Sequence, residues 1–366
     1  MAVVTKKPKR EIKHLTVEEL MTEVRNEHGE GTMVSGVDRA VWPRLTTGAI
    51  GFDLMLGGGM PAGGPNELIG EFSAGKTSFV LKLIAANQLL DPEFLVLWVA
   101  SEPFIEPWAV TAGCDLDRIV RFKSQNMESV YDYIVKFTAN RAVDMVIVDS
   151  LPALTPMAEY EGEMADVLPA LAARVNNKFF RKLGMSSAAP MVGEERLCTT
   201  IVINQWRDRI GVTHGDPRTT PGGKGKDFAY LTRTELRRAD WIQETKSSPR
   251  IGIKIAARTI KNKTYAPQRT ALVDFYFSPL GDIAAGTYDV ALDIMLAAME
   301  LDIIRRAGAT YRFNDQRWTG KEPVLHSLRE DLGLRRTVYS ETMAAAGLTP
   351  LPALAQAPKK RLARKQ

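Results

Sequence analysis

From about residue 40 to 278, short apolar runs alternate with segments whose apolar positions recur at helical spacing. The runs predict strands over residues 67–69, 95–100, 145–149, 200–204, 231–237, 250–256 and 271–277. The first four are apolar without interruption, as buried parallel strands covered on both faces must be. The later ones alternate, with Ile251, Ile253 and Ile255 set against Gly252, Lys254 and Ala256, which places them nearer a sheet edge. This is an α/β pattern with a mostly parallel central sheet. Ahead of it, Val17, Leu20, Met21 and Val24 mark a helix that the glycines at 29 and 31 stop. One helix cannot bury its own apolar stripe, so residues 1–39 are expected to pack on another surface, such as a second subunit. Residues 279–347 read as a small α+β domain with a hairpin-like piece at 311–318. Residues 348–366 form a Pro/Ala-rich and then basic tail. The α/β core is expected over 40–278.

The first predicted strand runs into Gly70-Glu71-Phe72-Ser73-Ala74-Gly75-Lys76-Thr77, and a helical pattern begins at Lys76. Strand, glycine loop and helix start together aim backbone amides and the positive end of the helix at one anion. Lys76 is positioned for β- and γ-phosphates, and the Thr77 hydroxyl for Mg²⁺. The nucleotide-binding candidates are Gly70, Glu71, Phe72, Ser73, Ala74, Gly75, Lys76, Thr77, Ser78 and Glu106. A glycine turn with a solvated lysine is the alternative; the flanking strand and helix speak against it.

Asp149 ends the run Met145-Val146-Ile147-Val148, where an acid beside a phosphate loop can hold Mg²⁺ through water. Glu102 follows the second run and could polarise a water for attack on a γ-phosphate; a solvent-facing strand end is the competing reading. Asn204-Gln205 closes the fourth run. The Gln205 amide could sense a phosphate oxygen or simply form a turn. Two segments, 157–168 and 206–225, fit neither strand nor helix. Both follow strands of the parallel set, so they leave the sheet on the edge of the phosphate loop, where open α/β sheets bind ligands.

Bulk properties change this picture little. The chain has 366 residues, 45% hydrophobic and 25% charged, with no apolar run of membrane-spanning length. Its two cysteines, Cys114 and Cys198, have no metal-like spacing and fit a reducing cytosol. The net charge is +5, but Lys6, Lys7, Lys9 and Arg10 crowd one end, and Lys359, Lys360, Arg361, Arg364 and Lys365 the other. Such tails either solubilise or meet an anionic partner such as nucleic acid.

The order of several motifs resembles the RecA family of homologous-recombination ATPases. They are Thr47-Gly48, Leu54-Met55-Leu56-Gly57, the phosphate loop, Val148-Asp149-Ser150-Leu151, Ala153-Leu154-Thr155-Pro156 and Glu161-Gly162-Glu163. Further along come Leu171-Ala172-Ala173-Arg174, Ile203-Asn204-Gln205, Arg209-Ile210-Gly211-Val212, Thr219-Thr220-Pro221-Gly222-Gly223 and Lys261-Asn262-Lys263. The likeness covers roughly residues 15–345. It implies a RecA-type P-loop ATPase core that uses ATP and Mg²⁺. Glu102 matches the water-activating glutamate, Asp149 the Mg²⁺-associated aspartate, and Gln205 the glutamine coupling γ-phosphate to DNA. Residues 157–168 and 206–225 match two DNA-binding loops. Arg174, Arg207, Arg209, Ile210, Thr219, Thr220, Gly222 and Gly223 fall on DNA-contacting positions. Lys261 and Lys263 match a pair that reaches a neighbour's nucleotide across a filament interface, and Phe228 an aromatic at that interface. The implied partners are single-stranded DNA, homologous double-stranded DNA and further copies of the chain in a helical filament, with no membrane.

Several positions depart from the family pattern. Pro103 stands where a histidine is expected, and Asp227 where a lysine is usual, with Lys226 beside it. The position of the family's base-stacking aromatic falls on Ala109, with Trp108 one place early. The 184–198 connector is long, and the end of the chain is basic where cellular members are often acidic. These features imply a divergent member, phage-encoded or cellular, and the resemblance implies the cytoplasm of a bacterial or phage-infected host cell. The reading is an ATP-dependent DNA strand-exchange recombinase. A RecA-fold helicase or motor, a small-molecule P-loop kinase and a filament protein with a decayed ATPase are the alternatives.

Overall fold

The computed structural model describes residues 15–28, 42–163, 170–187, 197–208 and 217–349. The described residues 15–28 belong to one unit and those from 42 onward to another. In the first, α1 (Val17–His28) starts on a capping box. The Glu19 N–H donates to Thr16 Oγ1 (3.3 Å) while the Thr16 N–H donates to Glu19 Oε2 (2.8 Å). Val17 and Leu20 remain exposed. The glycines expected to stop this helix lie outside the described residues.

The second unit opens with β1 (Arg44–Leu45), α2 (Ile50–Leu56), β2 (Met60–Pro61), β3 (Pro65–Ile69) and α3 (Lys76–Leu90). Next come β4 (Val96–Ala100), α4 (Glu106–Thr111), β5 (Ile119–Phe122), α5 (Met127–Ala139) and β6 (Met145–Asp149). After these lie α6 (Met157–Glu161), α7 (Leu171–Ser186), β7 (Thr199–Asn204), β8 (Arg207–Asp208), β9 (Arg218–Thr219) and α8 (Gly225–Ala229). The core closes with β10 (Thr232–Ile242), β11 (Gly252–Asn262), β12 (Thr270–Tyr276) and β13 (Thr287–Tyr288). Among the described residues the main sheet has nine strands in the order β13-β12-β11-β10-β3-β7-β6-β4-β5. Pairing is parallel from β10 through β3, β7, β6 and β4 to β5, and antiparallel from β10 to β13. The uninterrupted apolar runs have a simple cause: both faces are covered. Trp98, Ile147 and Ile201 pack toward α2 and α3, and the alternate positions Val99, Val148 and Val202 toward α5 and α7.

The turn before α2 is held by a buried carboxylate. Asp53 accepts from Thr46 Oγ1, Thr47 N–H and Thr47 Oγ1 at 2.7–2.8 Å, which accounts for the Thr47-Gly48 pattern. Burial raises Asp53 to about 6 despite those bonds. Beyond the sheet, α9 (Val290–Glu300), β14 (Arg305–Ala307), β15 (Thr310–Phe313), β16 (Gln316–Thr319), α10 (Lys321–Glu330) and α11 (Leu332–Ala345) enclose a second apolar cluster that includes Ile50 of α2. The expected hairpin near 311–318 is a three-stranded meander. The segment from 157 is also not wholly irregular, since Met157–Glu161 forms a single helical turn.

Candidate functional site

Backbone geometry builds the phosphate loop. A Cβ on Gly70 would stand 2.3 Å from the Leu236 carbonyl oxygen, so strand β10 leaves room for glycine only. Gly75, at φ 88°, and Ser73, at φ 56°, bend the chain back to present the first turn of α3. Lys76 lies across this cradle: its Nζ donates to Gly70 O (2.8 Å) and Glu71 O (2.7 Å). Burial lowers the Lys76 pKa, while Asp149, Glu102 and Glu71 act to raise it. An anion in the loop would oppose that lowering and give the ammonium a charged acceptor in place of carbonyls.

Four acidic or hydroxylic groups converge at the ends of β4 and β6. The Thr77 hydroxyl is 3.5 Å from Asp149 Oδ2. Burial, then the charge of Glu102, raises Asp149 to about 6, against the opposing effects of Lys76 and Thr77. Ser150 Oγ donates to Glu102 Oε1, and the Glu102 N–H donates to Asp149 O (3.0 Å). A carboxylate beside a hydroxyl, held above its ordinary range by burial and then by a second acid, is a group that a divalent cation would stabilise in ionised form. Among the described residues no cluster of three or more His, Cys, Asp or Glu could hold a metal. A Mg²⁺ there would rely on Thr77, Asp149, water and phosphate oxygens, the usual donor set of this ion. Glu106 starts α4 with its carboxylate paired to Arg121 of β5, and Ser78 lies on the first turn of α3.

The parallel register of β3, β7 and β6 brings the second sequence-predicted group to the same sheet edge. Ile69, which precedes the phosphate loop, pairs with Asn204, and Gln205 follows it half-buried. Asn204 Nδ2 donates to Glu67 Oε1 (2.8 Å) and to Pro221 O (3.2 Å), fastening both ends of the 206–225 segment. β8 pairs with β9 at its base, through Arg207 opposite Thr219. Glu235 clamps that base: Trp206 Nε1 (3.0 Å), Arg218 (2.8 Å) and Arg258 (3.0 Å) all donate to its carboxylate. Arg218 also lies over the Trp206 ring, 4.7 Å from its centroid. Gly222 and Gly223 have φ of 103° and 80°, and a Cβ on Gly223 would meet Ala173 at 3.1 Å. Gly223 therefore packs on the first turn of α7, next to exposed Arg174, while Gly222 lies against Lys226 and Leu151. Arg209 and Ile210 lie outside the described residues, as do residues 164–168 of the first loop and the basic tails.

Thr220 differs from the other DNA-contact candidates. It is buried, and its hydroxyl accepts from Lys226 Nζ (2.5 Å) and Arg233 (3.1 Å). Those two cations, neither singled out for a role from sequence, belong to a buried ion cluster. Lys226 Nζ also reaches Asp227 Oδ1 (2.6 Å) and Glu67 Oε1 (3.6 Å); Arg233 Nε reaches Glu67 Oε2 (2.6 Å). An acid within the strand run Asn66-Glu67-Leu68-Ile69 was the one sequence signal for it.

Lys261 and Lys263 sit elsewhere. Through Arg233, Lys261 is level with Glu67 in the middle of β3, and through Leu231, Lys263 is level with Pro65 at its start, so the pair runs toward the sheet edge opposite the phosphate loop. Their Nζ atoms donate to carbonyls ending α8: Lys261 to Asp227 O (2.5 Å) and Phe228 O (3.1 Å), Lys263 to Phe228 O (2.7 Å). Burial, then the charges of Lys263 and Arg233, lowers Lys261 to about 8. Phe228 beside them is 78% exposed. Ala109 is buried and carries no ring, and Trp108 is half-buried and packs at nearly right angles to Phe275.

Fold and site together define a P-loop nucleotide-binding ATPase whose sheet edge carries two loops beside the phosphate cradle. A family profile described as RecA N-terminal domain matches residues 15–280. Protein RecA of Synechococcus elongatus is 31% identical over 326 residues, covering 88% of this chain and 87% of that one. Protein RecA of Deinococcus radiodurans is 31% identical over 354 residues, with 93% and 92% covered. For Protein RecA of Thermus aquaticus the identity is 30% over 348 residues, with 94% and 98% covered. The chain belongs to the RecA family and is a DNA-dependent ATPase of the recombinase class. Nothing in these relatives favours the helicase alternative. Among the described residues no helix is long and apolar enough to cross a membrane.

Proposed function

We propose that this recombinase forms head-to-tail filaments on single-stranded DNA, pairs that strand with a homologous duplex, and hydrolyses ATP at sites shared between neighbouring subunits. The carrying observation is the position of the lysine pair. Gly70 lies three residue steps beyond Glu67, which is level with Lys261, or about 10 Å at strand rise, and the loop extends further. Lys261 and Lys263 therefore face away from their own phosphate loop and are placed to serve another subunit's. A heterologous contact of this kind propagates as a helix when it does not close.

Within one site the roles divide by chemistry. The loop amides, Lys76 and the α3 N-terminus bind the triphosphate. Thr77 and Asp149 would hold Mg²⁺, which supplies charge neutralisation at the phosphates. Glu102, oriented by the Ser150 hydroxyl, accepts a proton from the attacking water. Gln205 sits where a γ-phosphate contact would pull on the 206–225 loop. Arg174, Arg207, Thr219, Gly222 and Gly223 are the DNA-contacting candidates on that side, Arg209 and Ile210 take the same role from the family motif alone, and Thr220 supports the side from within. The domain division 1–39, 40–278, 279–347 and 348–366 is part of this proposal.

ATP hydrolysis measured with and without single-stranded DNA, with filaments imaged alongside, tests the reading. Stimulated turnover and filaments are expected; a DNA-indifferent ATPase that forms no filament would overturn it. Mixing inactive Lys76→Ala with inactive Lys261→Ala/Lys263→Ala tests the shared site. Recovered turnover is expected. No recovery at any ratio, in mixtures that still form filaments, would refute it.

A further inference from the structure

Phe72 is the third residue of the phosphate loop, and its side chain is 73% exposed. One exposed aromatic is ordinary on a protein surface; its position is what matters. On the opposite sheet edge a groove of about 600 Å³ is walled by Trp42, Phe180, Leu231 and Phe228, and Lys263 lines it as well. If Lys263 reaches the γ-phosphate of a neighbouring subunit, that groove comes within a lysine side chain's length of the neighbour's phosphate loop. Phe72 lies four residues before Lys76 on that loop. Of the loop residues it alone has a large apolar side chain, and it faces solvent.

We propose that Phe72 of one subunit packs into the groove beside Phe228 of the next, so that the occupant of this groove is a second copy of the chain. The inference rests on the reading that Lys261 and Lys263 act across the interface, and it adds an apolar anchor to that ionic contact. A covered Phe72 would also keep water from the phosphate side of the joint site. Covering a mostly exposed aromatic ring is a sizeable contribution to association, and it is absent in the free subunit.

The direct test replaces Phe72 with the photoreactive aromatic p-benzoyl-phenylalanine and irradiates filaments grown on single-stranded DNA with a non-hydrolysable ATP analogue. Cross-links between subunits are expected on the groove segments 180–187 and 225–231. Intersubunit cross-links on other segments, or none in filaments that form, would overturn the proposal. The second test compares Phe72→Ala with Phe72→Trp. Alanine should raise the protein concentration needed for filament growth about tenfold or more, tryptophan should largely retain assembly, and both should melt with the parent chain because the ring is exposed. Alanine filaments that grow at the parent concentration would refute the anchor. Failure is separable from that of the shared site. Recovered turnover in the Lys76→Ala mixtures with cross-links elsewhere removes only the Phe72 contact, whereas no recovery removes the interface on which it rests.

Discussion

Replacing Lys226 with methionine removes the ammonium from a site with almost no solvent contact while keeping a side chain of similar length. Lys226 has 1% of its side chain exposed, and Glu67 none. Losing one partner of a buried ion pair typically costs ~3–5 kcal/mol, because the remaining charge keeps its desolvation penalty without its attraction. Here the remaining groups are not left bare. Glu67 keeps Arg233 at 2.6 Å and Asn204 at 2.8 Å, and Asp227, a third exposed, keeps Arg233 at 3.3 Å. Thr220 retains its bond from Arg233. The loss should therefore fall at the lower end, about 3 kcal/mol.

At roughly 2–4 °C per kcal/mol for a unit of this size, the melting temperature should fall by about 6–12 °C. Circular dichroism melts of the DNA-free chain would measure this, with urea titration as a check that the slope of unfolding is unchanged. A second substitution separates charge from packing. Asp227→Asn added to Lys226→Met removes one of the stranded negative charges, so the double variant should recover part of the loss. A Lys226→Met chain melting within 2 °C of the parent would show that the cluster balances without its lysine. A double variant less stable than the single would show that Asp227 serves Arg233 rather than Lys226.

Other outcomes follow from the site. Glu102→Gln should retain nucleotide and DNA binding but not turnover, leaving filaments that persist in ATP; filaments that dissolve as fast as the parent's would exclude Glu102 as the base. Gln205→Ala should give a DNA affinity that no longer rises with a non-hydrolysable ATP analogue, and a normal rise would refute the sensor role. Asp149 must be ionised to meet Mg²⁺, so with its pKa near 6 the affinity for Mg²⁺-nucleotide should fall about fourfold from pH 7.5 to 5.5, and Asp149→Asn should abolish that dependence. For stability of the empty chain the sign is opposite. Asp149, Asp53 and Asp293, raised to about 6, 6 and 7, favour the folded state fully below the unfolded pKa, and that contribution is lost as pH rises toward 7. A DNA-free and nucleotide-free melting temperature that climbs over pH 4.5–7 would show that other groups dominate.

What could be read from the sequence was whatever burial imposes locally. The strands β3, β4, β6 and β7 announce themselves because helices cover both faces, and α3 begins at Lys76 because Gly75 turns the chain there. The edge strand β5 escaped notice for the complementary reason: Val120 and Arg121 are exposed, so its four residues carry neither a continuous nor an alternating apolar signal. The first strand of the C-terminal meander, Arg305–Ala307, is wholly exposed and hid in the same way. The buried ion cluster was invisible for a further reason. Glu67 meets Asn204 across 137 residues and Arg233 across 166, and no local pattern marks an acid and a base as partners at such separations. The unusual Lys226-Asp227 order becomes intelligible only there. With the charge one place earlier than the family pattern, the ammonium points into the sheet toward Glu67 rather than outward with Phe228. Asp227 bridges Lys226 and Arg233 with its side chain and offers its carbonyl to Lys261. The returning end of the 206–225 loop and the lysine pair on the far sheet edge thus hang on one two-residue step, which makes that step the place where a change at the DNA side would be felt at the subunit interface.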